Sequence, residues 1–274
     1  MSFPDHFSAV AAQYAAYRPH YPRELVDALA SLTEPPELAW DVGCGSGQLS
    51  VALAERFARV IATDPSAKQV AAATPHARVE YRCEPAEAST LAAASADLVV
   101  AAQAAHWFDW PRFCAEVERV AKPGALVALV SYNTLHVAGD AGAELAHYYR
   151  DVAGPYWPPE RAHVENGYRD LVLPWPPVEA CPRRAPWTEG KGEGKRASER
   201  ASRDTENAPP IAMTADWTRD ELVGYVTTWS ATAGLVKRHG TAAFDGFVTR
   251  LCATWPADER RQVRWPLTLR LARR

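Results

Sequence analysis

The stretch LAWDVGCGSGQLS, residues 38–50, decides the fold. It starts with a short apolar run that contains one acid, Asp41. Three glycines follow at alternate positions, namely Gly43, Gly45 and Gly47. Apolar residues then recur at helical spacing, at Leu49, Leu53 and Phe57. The pattern predicts a buried strand, a tight turn and the beginning of a helix. Glycines let the turn bring the backbone close to a ligand, and the helix N-terminus offers unpaired N–H groups to it.

Several kinds of α/β protein use a glycine turn of this type. A dinucleotide fingerprint, G-x-G-x-x-G, needs glycine or alanine at position 48, where this chain has Gln48. This difference argues against a nucleotide-linked oxidoreductase. A tight turn in an unrelated α/β protein also fits the three glycines, so further motifs have to decide.

A second short strand is predicted at residues 60–62, and Asp64 follows it. Asp64 stands about 20 residues after Gly43, the distance at which an acid in a βαβ unit reaches the ribose hydroxyls of a nucleotide. Its two carboxylate oxygens can accept both hydroxyl protons. The alternative is an acid that only caps the next helix.

Strands and helices continue to alternate along the next part of the chain. Further strands are predicted around Val79 and Tyr81, at residues 97–103 and at residues 125–131. Asp109 is expected to cap the helix between the last two, and the sequence Lys-Pro-Gly at 122–124 is expected to end it. Five alternating strands predict a doubly wound parallel sheet.

Composition limits the class of protein. The chain has 274 residues, of which 47% are hydrophobic and 23% charged, as in a soluble globular protein. The net charge of −3 argues against general binding of nucleic acid. Five cysteines without a C-x-x-C pair favour free thiols in a reducing cytoplasm over a metal or disulfide framework. No basic-then-apolar leader and no long apolar run is present, so we expect a cytoplasmic protein without a membrane segment.

Four motifs occur in a characteristic order: DVGCGSG at 41–47, TDPS at 63–66, AHWFD at 105–109 and KPG at 122–124. Together they resemble the class I S-adenosylmethionine-dependent methyltransferases of the type 11 kind. With YRPHYP at 17–22 they resemble the subgroup that includes trans-aconitate methyltransferase-like proteins. The resemblance implies S-adenosylmethionine as cofactor. It also implies an α/β fold, a doubly wound and mostly parallel seven-stranded sheet with helices on both faces and an antiparallel closing strand.

The closing strand is expected near the C-terminus, where apolar residues alternate between Val263 and Leu271. Pro266 lies within it and predicts a gap in the hydrogen-bond ladder. We expect one methyltransferase domain over residues 1–274. It comprises a helical N-terminal cap at 1–32, a cofactor-binding core at 33–135 and an acceptor-side region at 136–274 with a flexible insertion at 182–210.

The resemblance also implies which residues form the site. Cofactor-binding residues are expected at Tyr14, Arg18, Asp41, Gly43, Gly45, Gly47, Asp64, Pro65, Ala86, Glu87 and Gln103. The acceptor pocket is expected to include Trp107, Arg161 and Arg169, and no metal is expected. His106 is the candidate general base, because histidine titrates near neutral pH. It can instead fix a loop by hydrogen bonds, just as Glu87 can be a solvated loop acid.

The acceptor is limited only by class. The segment after the fourth strand, AAHWF, is not the N/D-P-P-Y type motif that DNA amino-methyltransferases carry, so a small molecule is expected. The available arginines and the aconitate resemblance suggest a carboxylate. A phenol or other hydroxyl remains an alternative, as does a non-catalytic module that only binds the cofactor. The sequence does not decide the oligomeric state.

Overall fold

The computed structural model describes residues 20–178 and 211–274. Tyr14, Arg18 and the predicted insertion at 182–210 lie outside these described residues. None of the helices within the described ranges has the length and apolar character that crossing a bilayer requires. The same two ranges contain no group of three or more His, Cys, Asp or Glu side chains that could hold a metal ion.

Seven strands form the sheet, in the order β3-β2-β1-β4-β5-β7-β6. Their bounds are Leu38–Val42 (β1), Arg59–Thr63 (β2), Val79–Arg82 (β3), Ala96–Ala102 (β4), Ala121–Tyr132 (β5), Ala212–Trp217 (β6) and Arg261–Arg273 (β7). The first five strands are parallel, whereas β7 is antiparallel to both β5 and β6. The predicted doubly wound sheet and its antiparallel closing strand are confirmed. Because β1 lies between β2 and β4, a crevice opens at their carboxyl ends, where ligands bind in open α/β sheets.

Nine helices accompany the sheet in the described ranges. They are Arg23–Ser31 (α1), Gln48–Leu53 (α2), Ala67–Ala71 (α3), Trp110–Val120 (α4), Asp140–His147 (α5), Arg161–Glu165 (α6), Arg219–Thr227 (α7), Ser230–His239 (α8) and Ala242–Thr254 (α9). The predicted cap at Asp109 is present, since Asp109 Oδ1 accepts from the Arg112 amide at 3.4 Å. Thr218 and Glu221 form a complete capping box at α7.

Side chains alternate between two cores, one on each face of the sheet. Ala39, Leu98 and Leu126 belong to the core that includes Leu25 and Leu29 of α1. The residues that follow them, Trp40, Val99 and Val127, belong to the other core, which contains Phe113, Val117 and Val120 of α4. Helices therefore cover both faces, and near-continuous apolar strands are the sequence sign of this arrangement.

Some boundaries differ from the prediction. Helix α4 ends at Val120, and the Lys-Pro-Gly segment already belongs to β5. Lys122 Nζ donates to Asp97 Oδ1 at 2.7 Å, beside a register shift of β4 against β5. This bond connects the first residues of β5 to β4. Helix α5 starts at Asp140 and is followed directly by a π-helical turn, Tyr148–Val152.

Strand β6 was not predicted, because its sequence AMTADW is half exposed and has no apolar run. Pro266 lies where β7 changes partner, since residues up to 266 pair with β6 and residues from 267 pair with β5. This change of partner explains why a proline, which lacks an N–H, is accommodated within a long strand.

Candidate functional site

The first glycine of the turn is fixed by its neighbours. The amides of Gly43 and Cys44 both donate to the Thr63 carbonyl, at 2.8 and 3.0 Å, and tie the loop to the end of β2. Gly43 has φ +69°, and a Cβ added there would lie 2.5 Å from the Ala104 Cβ. Positive φ and lack of space therefore both require glycine at this position.

The third glycine marks the beginning of α2. Gly47 is the N-cap, with φ +80°, and an added Cβ would overlap the Tyr81 ring. Gly45 lies between them, and its Cβ position faces open space, with Gln69 Oε1 4.0 Å away as the nearest atom. The loop thus presents bare backbone at Gly45, which a ligand can approach closely.

Asp64 holds this loop in place. Its Oδ2 accepts from the Gly45 amide and its Oδ1 from the Ser66 amide, both at 2.9 Å. Burial raises the pKa of Asp64, while the two amide hydrogen bonds lower it. Each carboxylate oxygen keeps a second lone pair, so Asp64 can also accept from ligand hydroxyl groups.

Asp41 lies in β1, two residues before Gly43. It is buried, and its Oδ2 accepts from the Ser50 hydroxyl at 2.6 Å. Burial raises the pKa of Asp41 to about 7, partly offset by the Ser50 bond and reinforced by the charge of Asp64. Asp41 and Gly47 do not line the cavity described next.

A cavity of about 790 Å³ opens at the carboxyl ends of β1, β2 and β4. Seven of the predicted cofactor residues line it: Gly43, Gly45, Asp64, Pro65, Ala86, Glu87 and Gln103. Residues that were not predicted also line it, including Tyr21, Ser66, Gln69, Phe108, Asp109, Arg112 and Tyr132. Glu87 Oε1 accepts from the Asp109 amide at 2.8 Å, which joins two walls of the cavity. The volume lies within the range of small-molecule and cofactor sites.

A second, smaller cavity of about 80 Å³ adjoins the first. Gln103, Trp107 and Tyr132 line both cavities and form the boundary between them. The Gln103 side chain is engaged here, since Nε2 donates to the Tyr132 carbonyl and Oε1 accepts from the Tyr132 amide, each at 3.0 Å. Gln103 itself has φ +55°, which is uncommon for a residue other than glycine.

Arg161 lines the smaller cavity. Its Nε donates to the Tyr149 hydroxyl and its Nη2 to Asn133 Oδ1, both at 3.2 Å. Its Cζ lies 4.8 Å from the centre of the Trp157 ring, a cation–π distance. Among the residues that the structure describes, no carboxylate lies within ion-pair distance of this guanidinium. The cation is therefore held by neutral partners.

His106 lies in the short turn Ala105–Trp107 after β4 and also lines the smaller cavity. Its Nδ1 is 2.9 Å from the hydroxyl of the buried Tyr168. Burial, together with the smaller effects of the charges of Arg161 and His163, lowers the pKa of His106 to about 3. The imidazole is consequently neutral near pH 7.

The other two predicted acceptor residues lie in different places. Trp107 lines both cavities, whereas Arg169 is exposed and lines neither. Sequence reasoning missed most of the aromatic wall of the smaller cavity, formed by Tyr149, Trp157, Tyr225 and Trp229. The aromatic-rich segment around residues 156–168 and the i, i+4 pair Tyr225 and Trp229 were the available signals.

Comparisons with known proteins agree with this geometry. The family described as "Methyltransferase domain" matches residues 40–129. A Dictyostelium discoideum protein provisionally named methyltransferase is 31% identical over 239 residues, which cover 86% of this chain and 80% of that protein. The solved structure of a protein from Anaeromyxobacter dehalogenans, provisionally named type II methyltransferase, is 38% identical. It superposes with a TM-score of 0.79 over 94% of this chain and 98% of its own.

A further relative is matched over part of its length. The ubiquinone biosynthesis O-methyltransferase of Rhizobium etli is 32% identical over 141 residues. The match covers 49% of this chain and 53% of that protein.

Proposed function

The chain belongs to the S-adenosylmethionine-dependent methyltransferase family, and from this premise we propose that it methylates the carboxylate of a small molecule. The chain is a methyltransferase, and its cofactor is S-adenosylmethionine. The acceptor is the proposed part. A net charge of −3 supports a small molecule over nucleic acid as the partner.

The residues of the larger cavity fit this cofactor. The glycine loop presents backbone without side chains, Asp64 offers two carboxylate oxygens for ribose hydroxyls, and Ala86 and Glu87 form the wall beyond β3. When bound, S-adenosylmethionine supplies a methyl group that is activated by a sulfonium centre. The protein then has to hold the acceptor in line with that group and exclude water, and such positioning contributes about 7–11 kcal/mol in well-oriented reactions.

Arg161 is the observation that carries the carboxylate proposal. It is a cation without an acidic partner among the described residues, in a cavity that shares its boundary with the cofactor cavity. Its Nε and Nη2 donate to Tyr149 and Asn133, so both of these acceptors of the guanidinium are uncharged. Arginine binds carboxylates through two parallel N–H···O bonds, which fixes both position and orientation.

The state of His106 supports the same acceptor. A carboxylate is ionised at neutral pH and is methylated without losing a proton. A phenol needs a general base of suitable pKa, but the pKa of His106 is lowered to about 3 and its Nδ1 is engaged by Tyr168. His106 is therefore a weak base, and an acceptor that needs none fits this cavity better.

A hydroxyl acceptor is the second candidate. The name of the Rhizobium etli relative refers to O-methyl transfer in ubiquinone biosynthesis, and its match is limited to about half of its length. Carboxylate and hydroxyl acceptors both receive the methyl group on oxygen, so this similarity is compatible with either.

The test is labelled methyl transfer from S-adenosylmethionine to three panels of acceptors: small carboxylic acids, phenols and amines. We expect turnover with acids, and we expect Arg161→Gln to lower kcat/KM for them by about 10- to 100-fold, the value of a charged hydrogen bond. Arg161→Lys should retain only part of the wild-type kcat/KM, because lysine cannot make the planar two-bond contact.

Arg169→Gln is the matched control, since this arginine is exposed and lines neither cavity. It should leave activity unchanged. Methylation of phenols alone, unaffected by Arg161→Gln, would refute the carboxylate proposal.

A further inference from the structure

The proposed function leaves open how many carboxylates the acceptor carries. Resting on that function, we infer that the acceptor is a monocarboxylate with a narrow apolar body, and that di- and tricarboxylates are poor substrates. The smaller cavity supplies the evidence: its charge, its committed polar groups, its aromatic walls and its size.

The charge of the cavity matches one anion. Within residues 20–178 and 211–274, Arg161 is the single lysine or arginine that lines it. His106 adds no charge near neutral pH, because burial lowers its pKa to about 3. A second carboxylate in this cavity would therefore lack a cationic partner among the described residues, and an unpaired buried charge is strongly unfavourable.

Two polar groups beside Arg161 are already engaged, whereas Trp157 Nε1 is buried and has no hydrogen-bond partner among the described residues. The Tyr149 hydroxyl donates to Glu165 Oε1 at 2.6 Å and accepts from Arg161. Asn133 Oδ1 accepts from both Arg161 and the Thr134 amide, at 3.2 and 2.9 Å. A second carboxylate at Tyr149 or Asn133 would have to compete with these bonds, whereas a single carboxylate at Arg161 would leave them intact.

Aromatic rings make up most of the remaining wall. Trp157 lies 5.2 Å from Tyr149 and 5.6 Å from Trp229, and Trp229 lies 5.9 Å from Tyr225, measured between ring centres. Aromatic rings offer a large apolar surface, which favours an apolar group of the ligand. The wall thus accommodates the hydrocarbon part of the acceptor.

Size limits that hydrocarbon part. The cavity of about 80 Å³ is smaller than the ~150 Å³ of a protein cavity that binds benzene. It suits a chain of a few carbons better than a ring. A longer acceptor would extend past Gln103 and Trp107 into the larger cavity.

Two pairs of acids test the inference with the full chain. Crotonate and fumarate share a rigid trans four-carbon skeleton, and butyrate and succinate share a flexible one. In each pair the second acid replaces a terminal methyl with a carboxylate. Steady-state methyl transfer gives kcat/KM, and displacement titration in the presence of S-adenosylhomocysteine gives affinity without turnover. We expect at least tenfold higher kcat/KM and tighter binding for the monoacid of each pair, with trans-aconitate the poorest substrate.

The outcomes separate the inference from the function on which it rests. Equal or better use of fumarate, succinate or trans-aconitate, lost in Arg161→Gln, would overturn the monocarboxylate inference and leave carboxylate methylation standing. If no acid is methylated and none binds in an Arg161-dependent manner, the proposed function itself fails.

Discussion

The two cavities are built in different ways, although they share a wall. One wall of the larger cavity is made of backbone groups and a short side chain from consecutive turns, namely Gly43, Gly45 and Asp64. The smaller one depends on long side chains that come from separate segments, such as His106, Arg161 and Trp229. One end is thus specified locally along the chain, and the other only after the whole sheet has formed.

This difference has a functional reading. A constant cofactor suits a backbone cradle, because backbone positions cannot be altered by changing one side chain. A particular acceptor suits a pocket of side chains, each of which can be exchanged without moving the sheet. We therefore expect substitutions in the loop to impair cofactor binding for every acceptor, and substitutions in the smaller cavity to alter acceptor use alone.

The largest effect is expected for Gly43→Ala. The new Cβ would lie 2.5 Å from Ala104 Cβ at a φ of +69°. Left-handed backbone costs about 1–2 kcal/mol for alanine, and overpacking typically about 1–3 kcal/mol more. Calorimetric titration with S-adenosylhomocysteine should show affinity reduced by about 100-fold or more.

Gly124→Ala is the control, since Gly124 has φ +81° with nothing within 4 Å of the added Cβ. It should affect stability slightly and cofactor binding not at all. Equal affinities for the two variants would contradict the view that the loop is a rigid backbone cradle.

The next effect concerns Asp64→Ala. This change removes the acceptor of the Gly45 and Ser66 amides as well as the expected partner of the ribose hydroxyls. A hydrogen bond to a charged group contributes about 1.5–3 kcal/mol, so cofactor affinity should fall by about 10- to 100-fold. Asp64→Asn should lower cofactor affinity less, because its carbonyl oxygen can still accept a hydrogen bond from one of the two amides. Asp27→Ala removes an exposed acid paired with Arg56 and should leave the titration unchanged.

The structure adds a consequence that the sequence did not show. Asp64 supports the loop itself, so Asp64→Ala should also lower the melting temperature. A variant that loses cofactor affinity while melting like the parent protein would limit Asp64 to ligand contact.

Local patterns explain how much could be predicted. Positive-φ glycines, strand-end acids and helix caps are properties of neighbouring residues, so the glycine loop, Asp64 and the cap at Asp109 follow from short motifs. Strand β6 was missed because a half-exposed edge strand has no apolar run. The end of α4 was misplaced because Lys122 and Asp97 stabilise the extension of β5 from opposite strands.

The residues of the smaller cavity could be predicted only in part. Arg161 and Trp107 came from family position and aromatic composition, and both line the smaller cavity. Arg169 has the same residue type eight positions later, yet it is exposed. Nothing in the local sequence indicates which of the two arginines is exposed. Arg161 contacts Tyr149 and Trp157, and these contacts depend on the tertiary packing. Likewise, no motif indicates that Tyr168 would engage His106.

A smaller effect is expected at the boundary between the cavities. Gln103→Ala removes both hydrogen bonds that the Gln103 side chain makes to the Tyr132 backbone. Since Tyr132 lines both cavities, cofactor affinity and acceptor KM should both worsen, each by about 3- to 10-fold. Gln69→Ala is the matched control, because Gln69 lines only the larger cavity, and it should affect the cofactor alone. If Gln103→Ala affected the binding of only one ligand, the boundary between the cavities would contribute to one site and not to both.

The smallest effect is expected for His106→Gln, which tests whether the acceptor end holds a base. With its pKa lowered to about 3, His106 stays neutral throughout the working range. Between about pH 6 and 9 the profile of kcat/KM should therefore show no step that His106→Gln abolishes, and the glutamine variant should keep turnover within about threefold, far less than the 10²–10⁴-fold of a general base. His147→Gln, at an exposed histidine paired with Asp151, is the control.

Stability should depend on His106 even though turnover does not. Its folded pKa of about 3 lies below the ordinary value of 6.5, so between these values the unfolded chain binds more protons than the folded one. Wild-type stability should accordingly decline as the pH falls from 6.5 towards 3, and the melting temperature of His106→Gln should decline less steeply over that window. A rate profile that rises through the histidine range and disappears in His106→Gln would instead assign His106 as a base. The acceptor end would then favour a hydroxyl, and Arg161 would serve to anchor the acceptor rather than to hold its reacting group.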